Sequence, residues 1–74
     1  MIRLITVEAQ SVRVGDVLVI SERDKRTGRY LGTKRSRVRS VRTRDGSVVI
    51  DTYVWSAWKH PGEAVCVERA EGVP

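Results

Sequence analysis

Cysteine and histidine occur once each in this 74-residue chain, and neither asparagine nor phenylalanine occurs at all. The lone Cys66 excludes an internal disulfide. Together with His60 it falls short of the three or four protein ligands of a usual zinc site, so no metal or other cofactor is expected. Without such a staple, a chain of this length holds one domain around one small core and keeps a narrow stability margin. Long apolar runs are also missing: the longest aliphatic stretch, Val17 to Ile20, is far below membrane-spanning length. Behind Met1, the segment Ile2-Arg3-Leu4-Ile5 does not build the charged and apolar regions of a signal peptide, so a cytoplasmic, membrane-free protein is expected. Nor does any segment repeat its apolar residues at the helical period.

Valine and arginine are what the chain has in quantity. Thirteen Val and four Ile against three Leu and four Ala favour strands, because side chains branched at Cβ suit a pleated surface. Eleven Arg against three Lys fits a GC-rich coding sequence, yet Arg is also the better fork for phosphate oxygens. The charge is segregated. Ten of the fourteen bases lie between Arg23 and Arg44 with Asp24 as the only acid, so that window carries +9 while the remainder is net −4. A block of one sign sets up a local field that attracts an oppositely charged partner, most commonly nucleic acid.

Alternation places a first strand over Ile2 to Val7, with Ile5 and Val7 on one face and Ile2 and Leu4 on the other, both faces partly covered. Gln10 to Asp16 reads as a connection with Val12 and Val14 pointing inward, and Gly15-Asp16 turns the chain into a strand beginning at Val17. Ser21 to about Lys34, polar and punctuated by Gly28 and Gly32, reads as a long loop or irregular hairpin. Ser36 to Thr43 and Ser47 to Val54 read as strands joined by Asp45-Gly46, a two-residue connection in which both positions accept positive φ. That turn sets Thr43 opposite Val48 and Val41 opposite Ile50. Strict alternation would then bury Arg39 and Arg37 beside Val41. Two unpaired guanidiniums in a core are prohibitive, so a β-bulge near Arg39 or Ser40 is expected to return Val38 to the core and turn both arginines outward.

Trp55 to Glu63 reads as a second loop, Ala64 to Arg69 as a last strand with Val65 and Val67 inward, and residues 70–74 as a frayed tail behind a single domain over 1–70. Five short strands in so small a chain are best closed as a partly open all-β barrel, SH3-like first and OB-like second.

The chemistry-bearing candidates divide into binding and catalytic ones. Arg26, Arg29, Lys34, Arg35, Arg37 and Arg39 are placed to grip a phosphate backbone, with Tyr30 and Trp58 as stacking surfaces; the plainer reading is a solvated hairpin face and aromatics that cover a barrel end. Asp51, diagonal to Arg42, is positioned to neutralise it. Trp55 is assigned to core or lid packing, since a core without Phe needs large apolar side chains. Gly28-Arg29-Tyr30-Leu31-Gly32-Thr33-Lys34 only superficially resembles a phosphate loop: its glycines stand one residue too close and Thr33 precedes the lysine. Cys66, between two valines, is expected to pack as a small hydrophobe and His60 to sit in a turn. The acids are dispersed, so no enzyme is expected.

The segments Val12-Arg13-Val14-Gly15-Asp16-Val17-Leu18, Arg37-Val38 with Val41 before Asp45-Gly46, and Trp58-Lys59-His60-Pro61 followed by Ala64-Val65-Cys66-Val67 together resemble the small barrel proteins of actinobacteriophages. Those proteins often pair a Val-Gly-Asp strand opening with a late Trp-Lys-His-Pro turn. The resemblance implies a phage origin, action in the cytoplasm of an infected host, and no catalytic residue. The expected partner is DNA or RNA, bound with weak sequence selectivity. The alternatives are an acidic host or phage protein docked on Trp58 and Tyr30, or a role as a structural subunit of a larger particle.

Overall fold

Among the described residues the valine-rich chain forms six strands. The computed structural model describes residues 1–70, and the fraying expected for 71–74 lies outside the described residues. The elements are β1 (Ile2–Glu8), a 3-10 turn (Ala9–Ser11), β2 (Val17–Arg23), β3 (Tyr30–Arg44), β4 (Ser47–Thr52), β5 (Ser56–Lys59) and β6 (Ala64–Ala70). All pairs are antiparallel within one sheet of order β1-β6-β2-β3-β4-β5. The sheet does not close: β1 and β5 are its edges. Among the described residues no helix is long and apolar enough to cross a membrane.

The all-β class is as expected, but there are six strands rather than five. The extra one, β5, runs through what reads as loop in the sequence, because within Ser56-Ala57-Trp58-Lys59 only Ala57 is buried. The stretch Ser21 to Lys34 follows the second of its two readings, an irregular hairpin, and not a long loop. It is a hairpin in which Ile20 pairs Lys34 and Arg23 pairs Tyr30. Its tip is drawn tight by Asp24, whose Oδ1 accepts the backbone N–H groups of Arg26 (2.7 Å) and Thr27 (3.1 Å) while its carbonyl accepts that of Gly28 (2.8 Å). Gly28 makes that closure with φ +73°, a region disfavoured for side chains bearing Cβ.

β3 is the long element on which the molecule turns. It pairs β2 through Arg37 and β4 from Val38 onward. Leu18, Val38 and Val67 therefore meet Val48, Ile50 and Ala57 in one core, with Ile5, Val7, Ile20, Val41 and Trp55 packed against it. The hairpin register is as expected, Thr43 opposite Val48 and Val41 opposite Ile50, over an Asp45-Gly46 turn with φ of 51° and 79°. The expected bulge is present too. Val38 pairs Thr52 and Ser40 pairs Asp51, so Arg39 is the extra residue. Val38 is buried, and Arg37 and Arg39 are exposed.

Other expectations need correction. Val14 is exposed rather than inward, because Gly15 and Asp16 turn to pair with β3: Gly15 donates its N–H to the carbonyl of Val38 (3.0 Å) and Val38 donates to that of Asp16 (2.7 Å). Only Val12 joins the core. Ile2 and Leu4 are exposed, so β1 is covered on one face only. Cys66 lies on that same outer face as an exposed thiol beside Thr6 (Oγ1 to Sγ 3.8 Å). Val65 and Val67 face inward as expected.

One ion pair ties the end of β6 to this frame. Asp16, buried, takes a fork from Arg69 (Nε to Oδ1 2.9 Å, Nη2 to Oδ2 2.8 Å) and the backbone N–H of Arg13 (2.9 Å), and the same guanidinium donates to the Ser11 carbonyl (3.1 Å). The start of β2, the preceding connection and the end of β6 are thus locked together, directly beside the Val38 backbone.

Candidate nucleic-acid interface

Parity along β3, corrected for its bulge, decides where the basic side chains point. Ser36 and Lys34 share the inner face with Val38, and beyond the bulge Val41 returns inward opposite Ile50. Arg35, Arg37, Arg39, Arg42 and Arg44 all lie on the outer face of the same strand, where successive outward positions recur about every 6.6 Å in an extended chain. The segment carrying Arg37 and Arg39 is held from both sides. Gly15 and Asp16 bond Val38, and Tyr53 donates its N–H to the Arg37 carbonyl (3.3 Å).

Not all of this charge is uncommitted. Arg42 Nε donates to Asp51 Oδ2 (3.1 Å), and the same carboxylate accepts Ser56 Oγ (2.5 Å) and Ser40 Oγ (2.9 Å). Hydrogen bonds from Ser56 and Ser40, then the Arg42 guanidinium, hold the Asp51 carboxyl below its ordinary value, so it remains ionised and neutralises Arg42. The expected pairing of these two residues is thus observed. Arg35 faces Glu68 at 3.4 Å. Arg37 instead donates Nη1 to the Gly15 carbonyl (3.0 Å), Arg39 lies over Tyr53 (5.7 Å to the ring centroid) and Arg44 over Trp58 (6.0 Å). Among the described residues, Arg37, Arg39 and Arg44 have no carboxylate partner.

The remaining candidates fall in three places. Arg26 and Arg29 are exposed at the tip of the β2–β3 hairpin with Lys25, without acidic side-chain partners among the described residues. Tyr30 starts β3 next to them, under Arg23 (5.8 Å), its hydroxyl hydrogen-bonded to Thr33. Lys34 does not join the row. It is on the inner face, paired with Glu22 (2.9 Å) and lying over the Trp55 ring (4.8 Å), where it caps the core. Trp55 packs on the core as expected, with its buried Nε1 lacking a partner among the described residues. Trp58 stands on β5 opposite Val49, and Val49, although on the outer face, is fully buried.

Sequence reasoning missed Tyr53. Alternation carries a strand on through it to Val54, but the strand stops at Thr52, whose Oγ1 accepts the N–H groups of Val54 (3.2 Å) and Trp55 (2.9 Å) and donates to the Trp55 carbonyl (2.7 Å). A threonine able to close such a turn on itself was the available signal. The turn projects Tyr53 and Val54 into solvent beside the bulge.

The arrangement offers cations and aromatic rings; Cys66 and His60 sit on β6 and in the β5–β6 turn respectively, and His60 donates its backbone N–H to Glu63. No cluster of three or more His, Cys, Asp or Glu among the described residues could hold a metal. No known protein family, curated protein or solved structure matches the chain.

Proposed function

We propose that this chain is a non-enzymatic nucleic-acid-binding protein that grips the phosphate backbone through the outer side of β3 and the tip of the β2–β3 hairpin. The observation that carries the reading is the row Arg35, Arg37, Arg39, Arg42 and Arg44 on one face of one strand, with three members lacking a carboxylate partner among the described residues. Lys25, Arg26 and Arg29 extend the positive charge at the hairpin tip. Such contacts orient a polyanion without reading its sequence, so weak selectivity follows. The architecture we assign is a partly open barrel of SH3 type, on the ground that β3 serves two sets of partner strands; the phage ancestry and cytoplasmic site of action rest on the Val12 to Leu18 and Trp58 to Pro61 motifs.

Fluorescence anisotropy of a labelled DNA duplex at several salt concentrations tests this reading. With about five phosphates engaged, the logarithm of affinity should fall against the logarithm of salt with a slope of about −4.5. If micromolar protein at low salt shifts neither duplex nor single strand, the reading ends and an acidic protein becomes the partner to seek.

A further inference from the structure

All four aromatic side chains of the chain lie against a cation: Tyr30 under Arg23, Trp55 under Lys34, Tyr53 under Arg39 and Trp58 under Arg44, at 4.8 to 6.0 Å from the ring centroids. Trp55 is spent on the core. The other three remain 52%, 69% and 53% exposed for Tyr30, Tyr53 and Trp58, so the contacting cation leaves much of each ring open. Tyr30 and Trp58 lie on the outer side of β3 and β5, and Tyr53 stands at the apex of the turn beside Arg39. A large exposed ring is costly in water and tends to withdraw into a nearby core. Here the hydrogen bonds of Thr52 fix the turn that projects Tyr53, and Arg39 lies against its ring.

A nucleotide in a single strand brings a π-face and a phosphate together. A ring with a guanidinium at its side answers both halves, whereas a duplex hides its base faces within the stack. Building on the phosphate-binding reading above, we propose that the ligand is single-stranded nucleic acid, with unpaired bases stacking on Tyr53, Trp58 and Tyr30 while Arg39, Arg44 and Arg37 hold the adjacent phosphates. Counterion release works against such a preference: each phosphate contact contributes about 0.9 to the salt slope on duplex DNA and only about 0.7 on a single strand. A preference for the single strand therefore requires the rings, and charge alone would favour the duplex.

The test compares a twelve-nucleotide oligo(dT) and oligo(U) with a twelve-base-pair dA·dT duplex, at one salt concentration, for the unaltered protein, Tyr53→Ala and Tyr53→Phe. Tyr53 is chosen because its exposure separates binding from folding. We expect single strands to bind about tenfold or more tightly than duplex. Tyr53→Ala should weaken single-strand binding about tenfold and leave duplex binding unchanged, while Tyr53→Phe should retain the affinity of the unaltered protein. The oligo(dT) and oligo(U) arms show which sugar is preferred, and stacking serves for either. Duplex binding as tight as single-strand binding, with Tyr53→Ala indistinguishable from the unaltered protein, overturns the stacking assignment and leaves the phosphate reading standing. No binding to any of the three ligands overturns both.

Discussion

Replacing Asp16 by alanine is expected to lower the thermal unfolding midpoint by about 15 °C, the largest loss from any single side chain outside the apolar core. The carboxylate is 4% exposed and Arg69 is 22% exposed, so most of the fork between them is shielded from water. Removing one partner of such a pair costs about 3 kcal/mol, near the low end for buried pairs because Arg69 can still swing toward solvent. In a domain of this size, 1 kcal/mol corresponds to about 5 °C in midpoint. The loss reaches beyond stability: Asp16 accepts the Val38 N–H through its carbonyl, so loosening it frees the backbone that aims Arg37 and Arg39. Differential scanning calorimetry measures the shift directly.

The same pair gives stability a defined pH dependence. Burial pushes the Asp16 carboxyl up, but the hydrogen bonds from Arg69 and the Arg13 backbone, with the charges of Arg69 and Arg13, outweigh it and hold the group below its ordinary 3.8. A depressed folded value means the stabilisation is complete above about pH 5, where the unfolded carboxyl is essentially all ionised, and is lost as pH falls through the folded value. Asp51 and Glu63 shift in the same direction from half-buried positions. The acid limb of the stability profile should therefore be shallower in Asp16→Ala than in the unaltered protein.

Reversing Arg37, Arg39 and Arg44 together to glutamate is expected to weaken nucleic-acid binding about 500-fold at 0.1 M salt. Each phosphate contact on duplex DNA contributes about 0.9 logarithmic units of affinity at that concentration, so three contacts account for about 2.7. The salt slope should fall from about −4.5 to about −1.8. These three are chosen because they lack carboxylate partners among the described residues. Reversing Arg35 or Arg42 instead would set new negative charge against Glu68 or Asp51 and confuse folding with binding. The triple variant should stay folded. Its main structural loss is the Arg37 bond to the Gly15 carbonyl, worth about 1 kcal/mol. Circular dichroism checks the fold and anisotropy the affinity.

Much of the β3–β4 hairpin is legible in the residues themselves, because two rules there admit one answer. Asp45-Gly46 accepts the left-handed backbone of a two-residue turn, and two guanidiniums cannot be buried beside Val41, which forces the bulge at Arg39. The β2–β3 hairpin is not legible in that way. From Ser21 to Thr33 polar residues occupy both faces, so no apolar alternation marks the strands, and the pairing depends on Asp24 folding the tip back on itself. With no alternation around it, Lys34 has no legible parity in the sequence; on β3 it shares the inner face with Val38 and leaves the basic row. β5 escaped notice because an inward Ala57 gives little apolar signal and its outward Trp58 reads as loop. Tyr53 was hidden by the strand-like run Val48-Val49-Ile50, which continues smoothly until Thr52 closes the turn.

The most direct test of the arginine row as a polyanion surface is a two-dimensional nitrogen–proton NMR titration with an oligonucleotide at low salt, following the backbone amides and the arginine Nε–H signals. Binding as described should move the Nε–H signals of Arg37, Arg39 and Arg44 and the amides of 25–29 and 53, while β1 and β6 stay still. Saturating oligonucleotide that leaves the Arg37, Arg39 and Arg44 signals in place, or that moves only the exposed face around Ile2, Leu4 and Cys66, would contradict it.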